Sequence, residues 1–252
     1  MELPKTTDKQ LTTLLYLYKF YFLHTNQIQK LFRHKNPRTV QEWLKYLKDN
    51  NYIQTYDFNQ NKLVTNALPA VYYLTKLARR KLKTHDKCEL SVLNRVYQIK
   101  PTALFVYKNI FLADIYLTLL SQMEGEEKLH FSTQANLKGF DYFPQPLPDA
   151  YIAIKTPKKT KRYFMFVIDE KIPWYRLEMR VRKYLEYVDD NDWSDYTKDL
   201  LPTFLFICPK EYQKKRIYDI ISDEISDGIF YVVLKEEIQQ SGFKGGNWER
   251  VK

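Results

Sequence analysis

The chain has 252 residues, 44% hydrophobic and 28% charged, with only 6 Gly and 11 Pro, a composition that supports a folded core and excludes wholesale disorder. No unbroken apolar run approaches the roughly 18 residues that span a bilayer, and the opening MELPKTTDKQ has no apolar signal core, so a cytoplasmic protein without membrane contact is expected. The net charge of +10 is lopsided: residues 1–100 hold 18 Lys and Arg against 7 Asp and Glu, and the rest hold 22 against 23, which points to a front portion that grips a polyanion.

Residues 8–23 place Leu11, Leu14, Leu15, Tyr18 and Phe22 along one helical stripe, with Asp8 as the expected N-cap. A short helix follows, capped by Thr25, with Ile28, Leu31 and Phe32 turned inward. After the polar break RHKN, Pro37 opens a third helix, a residue favoured in a first turn. Val40, Leu44 and Leu47 fall on its inner face, and Arg38, Glu42 and Lys45 on its outer face with Gln41 on the flank. This pair of helices has the helix-turn-helix pattern, whose second helix enters the major groove. Arg38 and Gln41 are then candidates for base contact, and Lys35, Thr39 and Lys45 for phosphate contact. A strand over NNYIQTYDF, a turn over FNQNK and a strand over AVYYLT supply the wing. The basic helix TKLARRKLK closes a winged-helix domain over residues 1–84.

Residues 85–102 lose periodicity and are read as a linker. Residues 103–123 predict a long apolar helix. Five strand-like runs come next, LHFST, PDAYIAIK, KRYFMFVID, TFLFICP and GIFYVVL, with helices over 174–188 and 210–226. This order predicts an α+β or α/β domain around a mixed sheet over residues 103–240, followed by a tail over 241–252. The run PKKTKRYF reads as a hairpin turn that is either simply solvated or close to a bound backbone. The acidic stretch DDNDWSD reads as a solvated loop.

One constellation in this half carries chemistry. Pro148-Asp149 opens a strand, and twenty residues later the next strand ends in Asp169-Glu170-Lys171. If the two strands pair, Asp149 nears Asp169, and strand alternation turns Lys171 to the same side. Two adjacent carboxylates suit a hard cation such as Mg²⁺, with Asp149 and Asp169 as its ligands. Lys171 would orient water and stabilise phosphate charge. The spacing is that of PD-(D/E)xK nucleases, and Arg180-x-x-x-Tyr184 on the following helix is similar to their Gln-x-x-x-Tyr element.

The segments LLYLYKFYFLHTNQIQKLF and RTVQEWLKYLKDNNYI, and later PDAYIAI, RYFMFVIDEK and RVRKYLEYV, resemble the replication-relaxation family of plasmids and mobile elements, over roughly residues 8–235. The resemblance implies a winged helix joined to a nuclease-like domain, a role in plasmid replication and DNA relaxation, and DNA as ligand. It carries over to Asp149, Asp169 and Tyr184. The chain departs from the family's pattern at Val167, where a Glu is usual, and has Lys108 where a His is expected.

His24, His34, His85 and His130 show no zinc-protease spacing, there is no P-loop, and Cys88 and Cys208 lie too far apart in sequence for a ribbon motif. The expectation is therefore a double-stranded-DNA-binding protein acting in replication or relaxation, with other replication proteins or a second copy as further partners. The alternatives are a Mg²⁺-dependent endonuclease using Asp149, Asp169 and Lys171, and a winged-helix transcriptional regulator.

Overall fold

The computed structural model describes residues 3–58, 69–88, 92–93, 101–190, 192–224 and 228–252. The chain divides into two compact units, residues 1–117 and 118–252. Its class is α+β, with a helical front region and a six-stranded mixed sheet.

In the first unit α1 spans Asp8–Phe20. Its cap is Thr7, one residue before the expected Asp8. The Thr7 hydroxyl accepts the Gln10 amide at 3.3 Å and the Gln10 side chain accepts the Thr7 amide at 2.9 Å. This reciprocal box satisfies two donors that the first turn leaves open, and Asp8 sits inside that turn, at the positive end of the helix. His24 does the same for α2 (Thr25–Leu31) through Gln27, so Thr25 is the first helical residue and not the cap. Asn36 caps α3 (Pro37–Asp49), and Pro37 stands at its start as expected. Val40, Leu44 and Leu47 are buried against α1 and α2, with Leu14, Leu17 and Ile28 in the same core.

Three short strands complete that packing: β1 (Leu23–His24), β2 (Ile53–Thr55) and β3 (Val71–Leu74), in the antiparallel order β1-β3-β2. Leu23 lies opposite Tyr72 and Ile53 opposite Leu74. The helix α4 (Lys76–Leu82) follows, capped by the Thr75 hydroxyl. Residues 59–62 of the expected turn, and 89–91 and 94–100 of the expected linker, lie outside the described residues.

The helix α5 (Ala103–Ser121) is the long apolar helix expected over residues 103–123. Among the described residues it is the one helix long and apolar enough, by length and composition, to cross a bilayer, with a mean hydropathy of 1.5. Lys108, Asn109 and Asp114 break it as an unbroken run, but an average over the helix passes over them. Gln27 ties this helix to the rest of the first unit: its buried amide donates to the Ile110 carbonyl and to the Asp114 carboxylate, both at 2.8 Å.

The second unit is built on β4 (Lys128–Thr133), β5 (Ala150–Lys155), β6 (Thr160–Val167), β7 (Thr203–Cys208), β8 (Phe230–Leu234) and β9 (Glu249–Arg250), hydrogen-bonded in that order. β4-β5-β6 is an antiparallel meander, β6-β7-β8 is parallel, and β9 returns antiparallel. Between β4 and β5 runs the short α6 (Gln134–Leu137). The parallel connections carry α7 (Trp174–Asp189) and α9 (Glu211–Ser222), as parallel strands require a crossover. One sheet face presents Phe164, Phe166, Phe204, Phe206 and Phe230 to Val181, Tyr184, Ile217 and Ile221 of those helices. The stretch expected as a solvated acidic loop instead forms α8 (Asp192–Thr197), because Trp193 is buried in this aromatic core. The chain ends with α10 (Lys235–Gly245) and β9.

Candidate functional site

Each unit gathers one group of residues. The first is the outer face of α3. Arg38, Gln41, Glu42 and Lys45 are exposed there, opposite the buried Val40, Leu44 and Leu47. Lys35 is exposed just before the helix, and Thr39 is half-buried. The period of the helix creates this division: one stripe is spent on the core and the other is left to solvent. No ion pair involving Arg38 or Lys45 occurs among the described residues, so their charge is available to an outside anion.

The second group gathers around Asp149, which is 2% exposed. As expected, β5 and β6 are hairpin neighbours. The Asp149 backbone donates to the Met165 carbonyl at 2.8 Å, which sets its side chain beside the end of β6. One carboxylate oxygen accepts the Val167 amide at 2.8 Å, and the other accepts the Gln134 side-chain amide at 3.3 Å. Arg180, on α7, donates from Nε to the Tyr184 hydroxyl at 2.6 Å, and that hydroxyl donates to the Pro146 carbonyl at 2.9 Å. The guanidinium also lies 5.7 Å from the centres of the Phe166 and Tyr184 rings.

Electrostatics explain why a cation tolerates this place. Burial works against the Arg180 charge, but Tyr184, Asp149 and Asp169 outweigh it and hold its pKa above the usual value. Tyr184 is pushed up by burial, with Asp149 adding to the rise and Arg180 opposing it. Both acids of the sequence motif therefore act on one guanidinium. Asp169 also draws on Lys235, whose pKa burial lowers while Glu170 and Asp169 raise it. Gln213 supports the same turn, donating to the Asp169 carbonyl at 3.2 Å.

β6 ends at Val167, and Glu170 and Lys171 form an exposed turn, so strand alternation does not extend to Lys171. Glu170 pairs at the surface with Lys210 at 3.2 Å, an interaction of little worth in water.

Both oxygens of Asp149 are engaged by N–H donors, a side-chain cation already offsets the two carboxylates, and among the described residues no three His, Cys, Asp or Glu side chains are grouped to hold a metal.

The model of the replication-relaxation family matches residues 14–200. The chain belongs to the replication-relaxation family. No curated protein and no solved structure matches it significantly. Membership supports a role in replication or relaxation of a plasmid or mobile element. The match covers the α3 face and Asp149, Asp169, Arg180 and Tyr184, and stops before Gln213 and Lys235. At Val167 the chain's backbone amide donates to Asp149. Gln134, Gln213 and Lys235 carry no signal in the sequence, because each reaches the acids across the fold and no spacing rule links them.

Proposed function

We propose that this replication-relaxation protein binds duplex DNA through a winged helix formed by its first 84 residues, with α3 in the major groove. The carrying observation is the exposed row of Arg38, Gln41 and Lys45 on a helix whose other side is fixed in the core. The order of α1, β1, α2, α3, β2 and β3, and the β1-β3-β2 pairing, support the same reading. Arg38 and Gln41 would read base edges, and Lys35, Thr39 and Lys45 would hold phosphates. The nuclease-like unit would serve assembly or binding, since Arg180 already answers the charge of Asp149 and Asp169.

The test is a duplex-binding titration over a salt series. Arg38→Ala combined with Lys45→Ala should weaken binding, and the salt dependence should flatten by about 0.9 for each phosphate no longer neutralised. Unchanged affinity would refute α3 as the docking helix. Incubation of supercoiled plasmid with Mg²⁺ or Mn²⁺ should leave it intact. Cleavage that Asp169→Ala abolishes would restore the metal-nuclease reading.

A further inference from the structure

The second unit carries a cavity of about 860 Å³ on the sheet face turned away from α7 and α9. This lies within the roughly 300–1,000 Å³ range of ligand sites. The strand register builds its floor. Leu205 pairs with Tyr231, and Tyr163 with Thr203, so these side chains share one face, opposite to the Phe164, Phe204 and Phe230 face. At the end of α10, Phe243 stands 6.1 Å from Tyr163, and Trp248 stands 5.3 Å from Phe243, ring centre to ring centre. Trp248 is fixed by its indole N–H, which donates to the Phe243 carbonyl at 2.9 Å. Tyr163, Tyr231 and Trp248 are only half-buried, so part of each ring borders the cavity.

The rim is basic. Of its two acids, Asp199 is taken by Arg162 at 2.6 Å and Glu127 by Lys244 at 3.0 Å. Lys159 and Lys161 remain, with Lys161 adding a weaker pull on Glu127. The neighbouring Lys128, Lys155 and Lys158 are exposed on the same end of the β4-β5-β6 meander, where Lys128 lies opposite Lys155.

From this combination we infer that the cavity is a binding site for single-stranded DNA. One or more unpaired bases lie against Tyr163, Tyr231 and Trp248, and the strand's phosphates meet Lys159 and Lys161. Aromatic floors with cationic rims suit single strands because every free base offers a ring face and every linkage a negative charge. A duplex keeps its bases stacked on each other and has no free ring face to give. The site lies in a different unit from α3 and does not rest on the docking role of that helix.

The experiment uses the full chain and fluorescent oligothymidylate, with an abasic strand of equal length and a duplex as separate probes. Lys159→Ala combined with Lys161→Ala should weaken oligothymidylate binding several-fold and flatten its salt slope by about 1.4, at about 0.7 per neutralised phosphate on a single strand. Duplex affinity should barely change. The pair Lys183→Ala and Lys215→Ala, which removes equal charge from exposed helix positions elsewhere, should have little effect. The abasic strand should bind more weakly than oligothymidylate. The proposal is overturned if the Lys159/Lys161 variant keeps wild-type affinity and slope, if the control pair weakens binding as much, or if the abasic strand binds equally well.

Discussion

The Asp149 carboxylate accepts the Val167 amide at 2.8 Å, which joins the entry of β5 to the exit of β6 through a side chain. That amide stands at a strand end, where the ladder no longer provides it a partner from β5. A carboxylate there caps the sheet much as Thr7 caps α1. Asp149 thereby ties the two strands together. Asp149→Ala should strand the Val167 amide and the Arg180 charge and cost about 2–4 kcal/mol. Asp149→Asn, which keeps an acceptor, should cost less. Urea midpoints of the two variants check this, and equal midpoints for Asp149→Ala and wild type would remove Asp149 from the framework.

Arg180 should behave as the cation that a metal would otherwise supply. Arg180→Met removes the guanidinium on which Asp149 and Asp169 both act. The variant should lose stability at neutral pH, because the buried Asp149 loses a compensating cation. Added Mg²⁺ should raise the melting temperature of Arg180→Met and leave that of wild type unchanged. A wild-type melting temperature that rises with Mg²⁺ would contradict the guanidinium's role.

The readability of the chain follows the range of the forces involved. Val40, Leu44 and Leu47 declare α3 because helix period is local, and Pro37 marks its start for the same reason. The five long strands are legible as β-branched and aromatic runs. The two-residue strands β1 and β9 are not, since Leu23-His24 and Glu249-Arg250 carry no pattern and become strands only because β3 and β8 present open edges. The hairpin that carries Asp149 is legible, but strand alternation stops at Val167, before Asp169 and Lys171. The pull of both acids on Arg180 depends on how α7 lies on the sheet, which no local pattern encodes.

On the proposed docking of α3, the residues assigned to bases and those assigned to phosphates should separate in a sequence panel. Arg38→Ala should reduce the preference for the target over other duplexes, at about 1–3 kcal/mol of lost discrimination. Lys45→Ala should weaken all duplexes alike and leave the ranking untouched. Both side chains are exposed, so urea midpoints should stay near wild type. A variant of Arg38 that lowers every affinity equally would move that residue to the phosphate group.

Lys19 offers a pH signature in the first unit. Burial lowers its pKa to about 8, and its ammonium lies 4.4 Å from the centre of the Tyr116 ring, which returns part of the cost of keeping the charge. A lysine with a depressed folded pKa binds fewer protons folded than unfolded between about pH 8 and its ordinary value near 10.5. Stability contributed by this group therefore rises with pH across that window, and the penalty is fully present below it. Lys19→Met removes the titration while keeping the length of the side chain. The stabilisation it brings should be largest at pH 7 and shrink toward pH 10, as other titrating groups such as Tyr16 and Tyr116 are common to both proteins. Denaturant midpoints of the pair measured across that range give the difference directly, and a difference independent of pH would show that Lys19 keeps an ordinary affinity for its proton.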